Sequence, residues 1–183
     1  MHKVISGGQI GVDIAALDAA KLLRVVTGGS ISKGFRTKSG PRADYAGLYG
    51  LTELDSEDYP TRTRQNVADA DATLVLYCKE SAGVSLTRRY IRELQKPFFF
   101  VQFEHTPGFI RAVSFSCNET GQTESRRGLK IVPARYEIKQ LPPMLARFGV
   151  VNFAGNSEAD EGLCYQWFHS LFRAVLRLEG ENE

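Results

Sequence analysis

Cysteine and histidine are both scarce in this 183-residue chain, with three of each. Cys78, Cys117 and Cys164 lie far apart, without a CxxC pair or a His-rich spacing, so no metal-site pattern emerges. An odd number of cysteines also fits no disulfide framework, and a reducing cytoplasm is the expected compartment. His2, His105 and His169 fall at the terminus, in an irregular stretch and on the last predicted helix, which supplies no catalytic triad. Charge of one sign is not in excess either. With 23 basic against 21 acidic residues the net charge is +2, which leaves no electrostatic footprint for duplex nucleic acid. No apolar run reaches the length of a bilayer, and no charged-then-apolar leader precedes the first strand. Neither export nor a membrane is expected.

Hydrophobic residues make up 43% of the chain, enough for one globular domain with a real core over 1–183. Val4-Ile5-Ser6 reads as a buried strand that runs into Gly7-Gly8-Gln9-Ile10-Gly11-Val12-Asp13 and then into a helix over Val12–Leu23. A strand, a glycine turn and a helix start within a dozen residues can present backbone N–H groups at a positive helix end, where the natural occupant is an anion. A strand is predicted over Val25–Gly28, and residues 29 to 60 read as a long loop of the kind that usually carries function. Thr61–Ala70 reads as a helix with Thr61 as its N-cap, followed by a strand over Ala72–Tyr77. A helix over Ser85–Gln95 and a strand over Phe98–Phe103 continue the alternation.

That alternation predicts an α/β fold, a Rossmann-like three-layer sandwich with a mostly parallel sheet and helices on both faces. Residues 104 to 136 break the pattern and read as an inserted hairpin or lid, with strands at Val113–Cys117 and Leu129–Val132 around a polar turn. A helix over Tyr136–Phe148 is predicted to break near Pro142-Pro143, and a last strand spans Val150–Ala154. The final helix, about Asp160–Leu178, spaces Leu163, Trp167, Leu171 and Val175 as a core or interface stripe.

In open α/β sheets ligands bind beyond the carboxyl ends of the strands. Four segments have that address: Gly7 to Asp13, Gly28 to Gly34, Lys79 to Thr87 and Gly155 to Glu158. Their convergence predicts one electropositive cup. Lys33, Arg62 and Arg64 are the candidate cations, since arginine offers a planar fork and lysine a point charge to an oxyanion. Asp13 could cap its helix, accept a hydrogen bond from a sugar or pterin, or hold Mg²⁺ beside a phosphate. Gln9 could bond the edge of a heterocycle, and Glu158 could close the far side.

The order and spacing of Ile5-Ser6-Gly7-Gly8-Gln9-Ile10-Gly11-Val12-Asp13, Thr27-Gly28-Gly29, Lys33-Gly34, Arg62-Thr63, Asn66, Asp71-Ala72-Thr73-Leu74, Leu86-Thr87 and Asn152-Phe153-Ala154-Gly155 resemble the molybdenum cofactor carrier family. That family is a Rossmann-like branch of a superfamily that includes lysine-decarboxylase-like nucleotide hydrolases. The resemblance covers residues 3 to about 102 and 148 to 178. It implies a carrier whose cargo is molybdenum cofactor, a pterin phosphate, with a nucleotide or Mg²⁺ as the alternative occupant. Implied ligand-binding residues are Gly7, Gly8, Gln9, Gly11, Asp13, Lys33, Gly34, Arg62, Asn66, Gly83, Ser85, Thr87, Gly155, Asn156 and Glu158. Apo-molybdoenzymes as recipients and a homo-oligomeric state are implied too.

One departure matters for chemistry. The hydrolase relatives carry a PGGxGTxxE loop whose glutamate takes part in cleaving the N-glycosidic bond. The corresponding loop here is Ser81-Ala82-Gly83-Val84-Ser85-Leu86-Thr87, and Thr87 stands where that glutamate would be. The reading is therefore a binding protein without a catalytic residue. The rivals are a nucleotide-processing hydrolase, which would need Asp13, Glu53 or Glu158 as its carboxylate, and a nucleotide-signal sensor whose assembly responds to ligand.

Overall fold

The computed structural model describes residues 1–106, 109–118, 132–133 and 138–180. Among these, eight strands form one sheet in the order β5-β2-β1-β10-β6-β7-β8-β9. β1 (Lys3–Ser6), β2 (Val26–Ile31), β5 (Leu51–Glu53), β6 (Ala72–Tyr77), the start of β7 (Phe98–Thr106) and β10 (Val150–Gly155) run parallel. β8 (Phe109–Asn118) and β9 (Val132–Pro133) are added antiparallel at one edge. A separate two-stranded hairpin, β3 (Arg36–Thr37) and β4 (Gly40–Pro41), lies off the sheet. The helices are α1 (Val12–Leu22), α2 (Asp44–Tyr49), α3 (Tyr59–Asp69), α4 (Ala82–Glu93), α5 (Leu141–Leu145) and α6 (Glu161–Gly180).

Strand alternation explains the three layers. Successive side chains of a strand point to opposite faces. Leu74 and Leu76 of β6, with Phe99 and Val101 of β7 and Phe153 of β10, pack beneath α1 and α6. Val75 and Tyr77, with Phe100, pack instead against Val67 of α3 and Val84, Tyr90 and Ile91 of α4. Both faces are covered, so β6 reads as one apolar run, Ala72-Thr73-Leu74-Val75-Leu76-Tyr77, buried throughout. α1 approaches closely because Ala15, Ala16, Ala19 and Ala20 are fully buried and small. The fold is the predicted Rossmann-like one.

Several local expectations are corrected. The stretch 29 to 60 is not structureless: β2 runs on to Ile31, and the β3–β4 hairpin, α2 and β5 follow. The N-cap of α3 is Asp58, whose carboxylate accepts from the Thr61 N–H at 3.2 Å, so the cap lies three residues earlier than Thr61. Pro142 and Pro143 open α5 rather than break a helix, because proline in a first turn forfeits no intrahelical hydrogen bond. The buried rows of α6 are Cys164, Phe168, Leu171, Phe172 and Val175, while Leu163 and Trp167 are half-buried. Val113–Cys117 belongs to β8, which pairs with both β7 and β9. The expected turn of that hairpin, and Leu129 to Ile131, lie outside the described residues.

β10 is the last strand in sequence and sits between β1 and β6. That placement needs Gly155: a Cβ there would come within 2.0 Å of the Leu76 carbonyl and 2.8 Å of both Val12 methyls.

Candidate functional site

A cavity of about 450 Å³ opens beyond the carboxyl ends of β1, β10 and β6. Its walls are Gly7, Gln9 and Asp13 of the first loop and α1; Tyr59, Arg62, Thr63 and Asn66 of α3; Ser81, Ala82, Gly83, Leu86 and Thr87 of α4 and its cap; and Asn152, Ala154, Gly155, Ser157 and Glu158 of β10 and the loop after it. Lys38, at the tip of the β3–β4 hairpin, completes the lining. β7, β8 and β9 contribute none of the described lining residues.

Two ion pairs set the electrostatics. On the floor, Arg62 Nη1 donates to Asp13 Oδ2 at 3.3 Å, with the two side chains only 12% and 7% exposed. Burial pushes the Asp13 carboxyl above its ordinary range, against the lowering pull of Arg62 and of the Gln9 N–H at 3.2 Å. Arg62 Nε is buried and has no acceptor. Gly7 makes this seat possible: a Cβ at that position would lie 1.5 Å from Arg62 Nη1, so the guanidinium lies directly over the bare Cα. Arg62 also sits 5.7 Å from the Tyr59 ring centroid.

At the mouth, Lys38 Nζ donates to Glu158 Oε1 at 3.2 Å and to Ser157 Oγ. Both charged side chains are more than half exposed, and the Lys38 hydrogen bond holds the Glu158 carboxyl below its usual range. Gln9 anchors the same hairpin, accepting from the Lys38 N–H at 3.0 Å and donating to the Arg36 carbonyl at 3.3 Å. Its amide is therefore spent on the protein rather than free for a heterocycle. Two carboxylates and two cations line the cavity, each paired, so the formal charges cancel. The expected electropositive cup is not what these side chains form.

The first loop is corrected in a second way. Three of its N–H groups are bonded within the chain: Gln9 to Asp13, Gly11 to Glu161 Oε2 at 3.1 Å, and Val12 to the Asn156 carbonyl at 3.3 Å. The start of α4 is different. Ser81 Oγ accepts from the Val84 N–H at 3.3 Å and the Ser81 carbonyl accepts from Ser85. The N–H groups of Ala82 and Gly83 precede any intrahelical acceptor, and both residues are exposed on the cavity wall. The N–H groups at the start of α4 are open helix-end donors on the cavity wall.

The sequence-predicted residues sort into three groups. Gly7, Gln9, Asp13, Arg62, Asn66, Gly83, Thr87, Gly155 and Glu158 are brought together around the cavity. Gly8, Gly11 and Asn156 stand behind its walls. Gly8, at φ +69°, packs so tightly that a Cβ would meet Leu51 Cδ1 at 2.7 Å, and Gly11 holds φ +80° at the N-cap of α1. Asn156, 1% exposed, accepts at Oδ1 from the N–H groups of Cys78 at 2.8 Å and Lys79 at 3.3 Å. Its Nδ2 donates to the Lys79 carbonyl at 3.1 Å and to Ser81 Oγ at 3.3 Å. Lys33, Gly34 and Ser85 lie away from the cavity, all exposed; the Lys33 N–H bonds the Ser56 carbonyl and the Gly34 N–H bonds Glu53.

Even among the lining residues, two are occupied by the fold. The Asn66 amide brackets Ser30, accepting from its N–H at 2.8 Å and donating to its carbonyl at 2.9 Å. Thr87 Oγ1 donates to the Gly83 carbonyl at 2.9 Å. The residues that sequence reasoning missed are chiefly Lys38 and Tyr59. Tyr59 stands one turn before Arg62, and Lys38 follows a basic residue in the long loop, but no spacing in that loop shows which lysine reaches the far wall. The Cys164 thiol is buried and pushed up to about 12, and no cluster of metal-ligating side chains occurs among the described residues.

Residues 4–126 match the family model of the circularly permutated YpsA SLOG family. The chain belongs to that family. The matched span carries the first glycine loop, the β3–β4 hairpin, α3 and the start of α4, which are most of the cavity wall. This SLOG-family chain is also similar to the crystal structure of a protein called "putative molybdenum carrier protein" from Syntrophus aciditrophicus, with 25% identity and a TM-score of 0.66. The similarity covers 96% of this chain and 95% of that one, so it includes β10 and α6, which lie beyond the family match. No curated protein matches the sequence. Family and neighbour together support a ligand-binding role. No helix among the described residues is long and apolar enough to cross a membrane.

Proposed function

We propose that this chain binds a phosphorylated heterocyclic ligand in the cavity beyond β1, β10 and β6, and that its cargo is molybdenum cofactor, held for delivery to apo-molybdoenzymes. The observation that carries the reading is the pairing of two unlike surfaces in one 450 Å³ space. One is polar: the Arg62 guanidinium and the N–H groups of Ala82 and Gly83 at the start of α4, which line the same cavity. The other is apolar: the Tyr59 ring, Leu86, Ala82 and Ala154. A phosphate suits the first and a flat ring the second. A single helix end contributes only about 0.3–2 kcal/mol toward an anion, so the arginine and the helix must act together.

The cargo is taken from the name of the Syntrophus aciditrophicus protein and from the resemblance of the sequence to carriers. Thr87 lines the cavity where a hydrolase of the superfamily would place its glutamate, and its hydroxyl is tied to Gly83, which supports carriage over cleavage. One observation favours the rival enzyme: Asp13 is a buried cavity carboxylate with its proton affinity raised. Release of free base from AMP, GMP or NAD would establish that rival. The carrier reading is tested by mass spectrometry of the small molecules released from freshly purified protein, with metal analysis for molybdenum and tungsten. It expects a phosphorylated pterin with metal; protein that never carries a phosphorylated heterocycle would refute it.

A further inference from the structure

The floor of the cavity is occupied by a pair that a bound anion must disturb. Asp13 Oδ2 already accepts from both the Gln9 N–H and Arg62 Nη1, at 3.2 Å and 3.3 Å. Arg62 has no room to approach any closer to the sheet, because its guanidinium lies against the Cα of Gly7. The first loop has no N–H groups at Gln9, Gly11 or Val12 to give an anion, since all three are bonded within the chain. Arg62 is the cation on this floor, and its Nη1 is already committed to Asp13, so an anion seated here competes with Asp13 for it.

The other charged and titratable groups around the pair offer Asp13 no replacement. Tyr59 on α3 offers a ring 5.7 Å from Arg62 and no cation, Lys38 of the hairpin is held by Glu158 and Ser157, and Glu158 and Glu161 are themselves acidic. Ser6 on β1 donates to the Phe153 carbonyl at 2.7 Å, and its hydroxyl also favours the Asp13 carboxylate, less strongly than Arg62 or the Gln9 N–H does. Two anions beside one guanidinium in a buried site repel each other, which favours neutralising one of them.

We propose that the phosphate of the ligand takes Arg62 from Asp13 while Asp13 accepts one proton from solvent, so that Asp13 sets the preference of the cavity for a phosphomonoester and couples binding to proton uptake. The inference rests on the phosphorylated-ligand reading above. No covalent bond to the ligand changes: the Arg62 hydrogen bond passes from carboxylate to phosphate, and the proton goes to a carboxylate oxygen of Asp13, which then donates rather than accepts. Burial already favours the protonated carboxyl in this position.

The test is calorimetric titration with AMP and with neopterin monophosphate in buffers of different ionisation enthalpy, at about pH 7.5, where a phosphomonoester is mostly dianionic. Expected is uptake of about one proton per ligand bound, none with adenosine or neopterin, and none in Asp13→Asn. The wild-type Kd should weaken by about tenfold per pH unit where Asp13 ionises, while that of Asp13→Asn stays level. Binding without proton uptake, or uptake that persists in the variant, overturns the inference and leaves the anion site standing. Failure of both phosphates to bind at millimolar concentration overturns the phosphorylated-ligand reading, and the inference with it. Wild-type buffer dependence decides the question even if Asp13→Asn does not fold.

Discussion

Asn156→Ala should loosen the cavity without touching anything that enters it. Asn156 does not line the cavity, yet its amide ties the loop between β6 and α4 to the end of β10 through Cys78, Lys79 and Ser81. Of these five hydrogen bonds, the 2.8 Å and 3.1 Å contacts are well formed, while the two at 3.3 Å and the one from the Cys78 thiol at 3.4 Å are longer. At about 0.5–1.5 kcal/mol net for each, and with buried N–H groups left unpaired, the loss is about 2–4 kcal/mol. In a domain of this size that is about 5–15 °C in Tm, read by calorimetry. The N–H groups of Ala82 and Gly83 hang on the same loop, so affinity for AMP or neopterin monophosphate should fall as well. Ser157→Ala, one residue along, removes only an exposed contact to Lys38 and should stay within about 1–2 °C. If Asn156→Ala melts with the wild type, the loop is held by something else and the positioning role is refuted.

Three further outcomes follow from the same geometry. Gly7→Ala puts a methyl on Arg62 Nη1 and should break the buried pair with Asp13, at a cost of about 3–5 kcal/mol by denaturant unfolding; an unchanged midpoint would mean that the guanidinium has another seat. Gly155→Ala drives a Cβ into the Leu76 carbonyl and should destabilise by about 1–3 kcal/mol, because that carbonyl is backbone and cannot swing away. Asp13 has a raised folded-state pKa, so above about pH 3.9 the unfolded chain ionises this group first and native stability falls until pH passes the folded value. Asp13→Asn lacks that dependence. The Tm difference, variant minus wild type, should rise with pH from about 4 and then level off; a difference that stays flat across this range would contradict the raised value.

The architecture was legible because its strands are buried on both faces. A run such as Ala72 to Tyr77, apolar or small at every position, can only be an inner strand, and the alanine face of α1 announces a helix that packs close. The cavity was half legible. Gly7 and Gly155 were visible as glycines after strands, but sequence does not say that one makes room for an arginine and the other for a carbonyl. Gln9, Asn66 and Asn156 have the side chains of ligand-binding residues and use their amides on the backbone of this chain, a choice set by packing across long sequence separations. The same holds for the first loop. Its glycines do form a turn into a helix, but Glu161, 150 residues away, accepts from Gly11 where an anion was expected. Lys38 reaches Glu158 only because a two-residue-wide hairpin crosses the mouth, and that hairpin has no periodicity to read.

The most direct measurement of the central claim is a crystal structure of the protein with the ligand that co-purifies. The account predicts the phosphate within hydrogen-bond distance of Arg62 and of the N–H groups of Ala82 and Gly83, with the ring between Tyr59 and Leu86. A ligand seated elsewhere on the surface, or the Asp13–Arg62 pair intact beside a phosphate that ignores it, would contradict it.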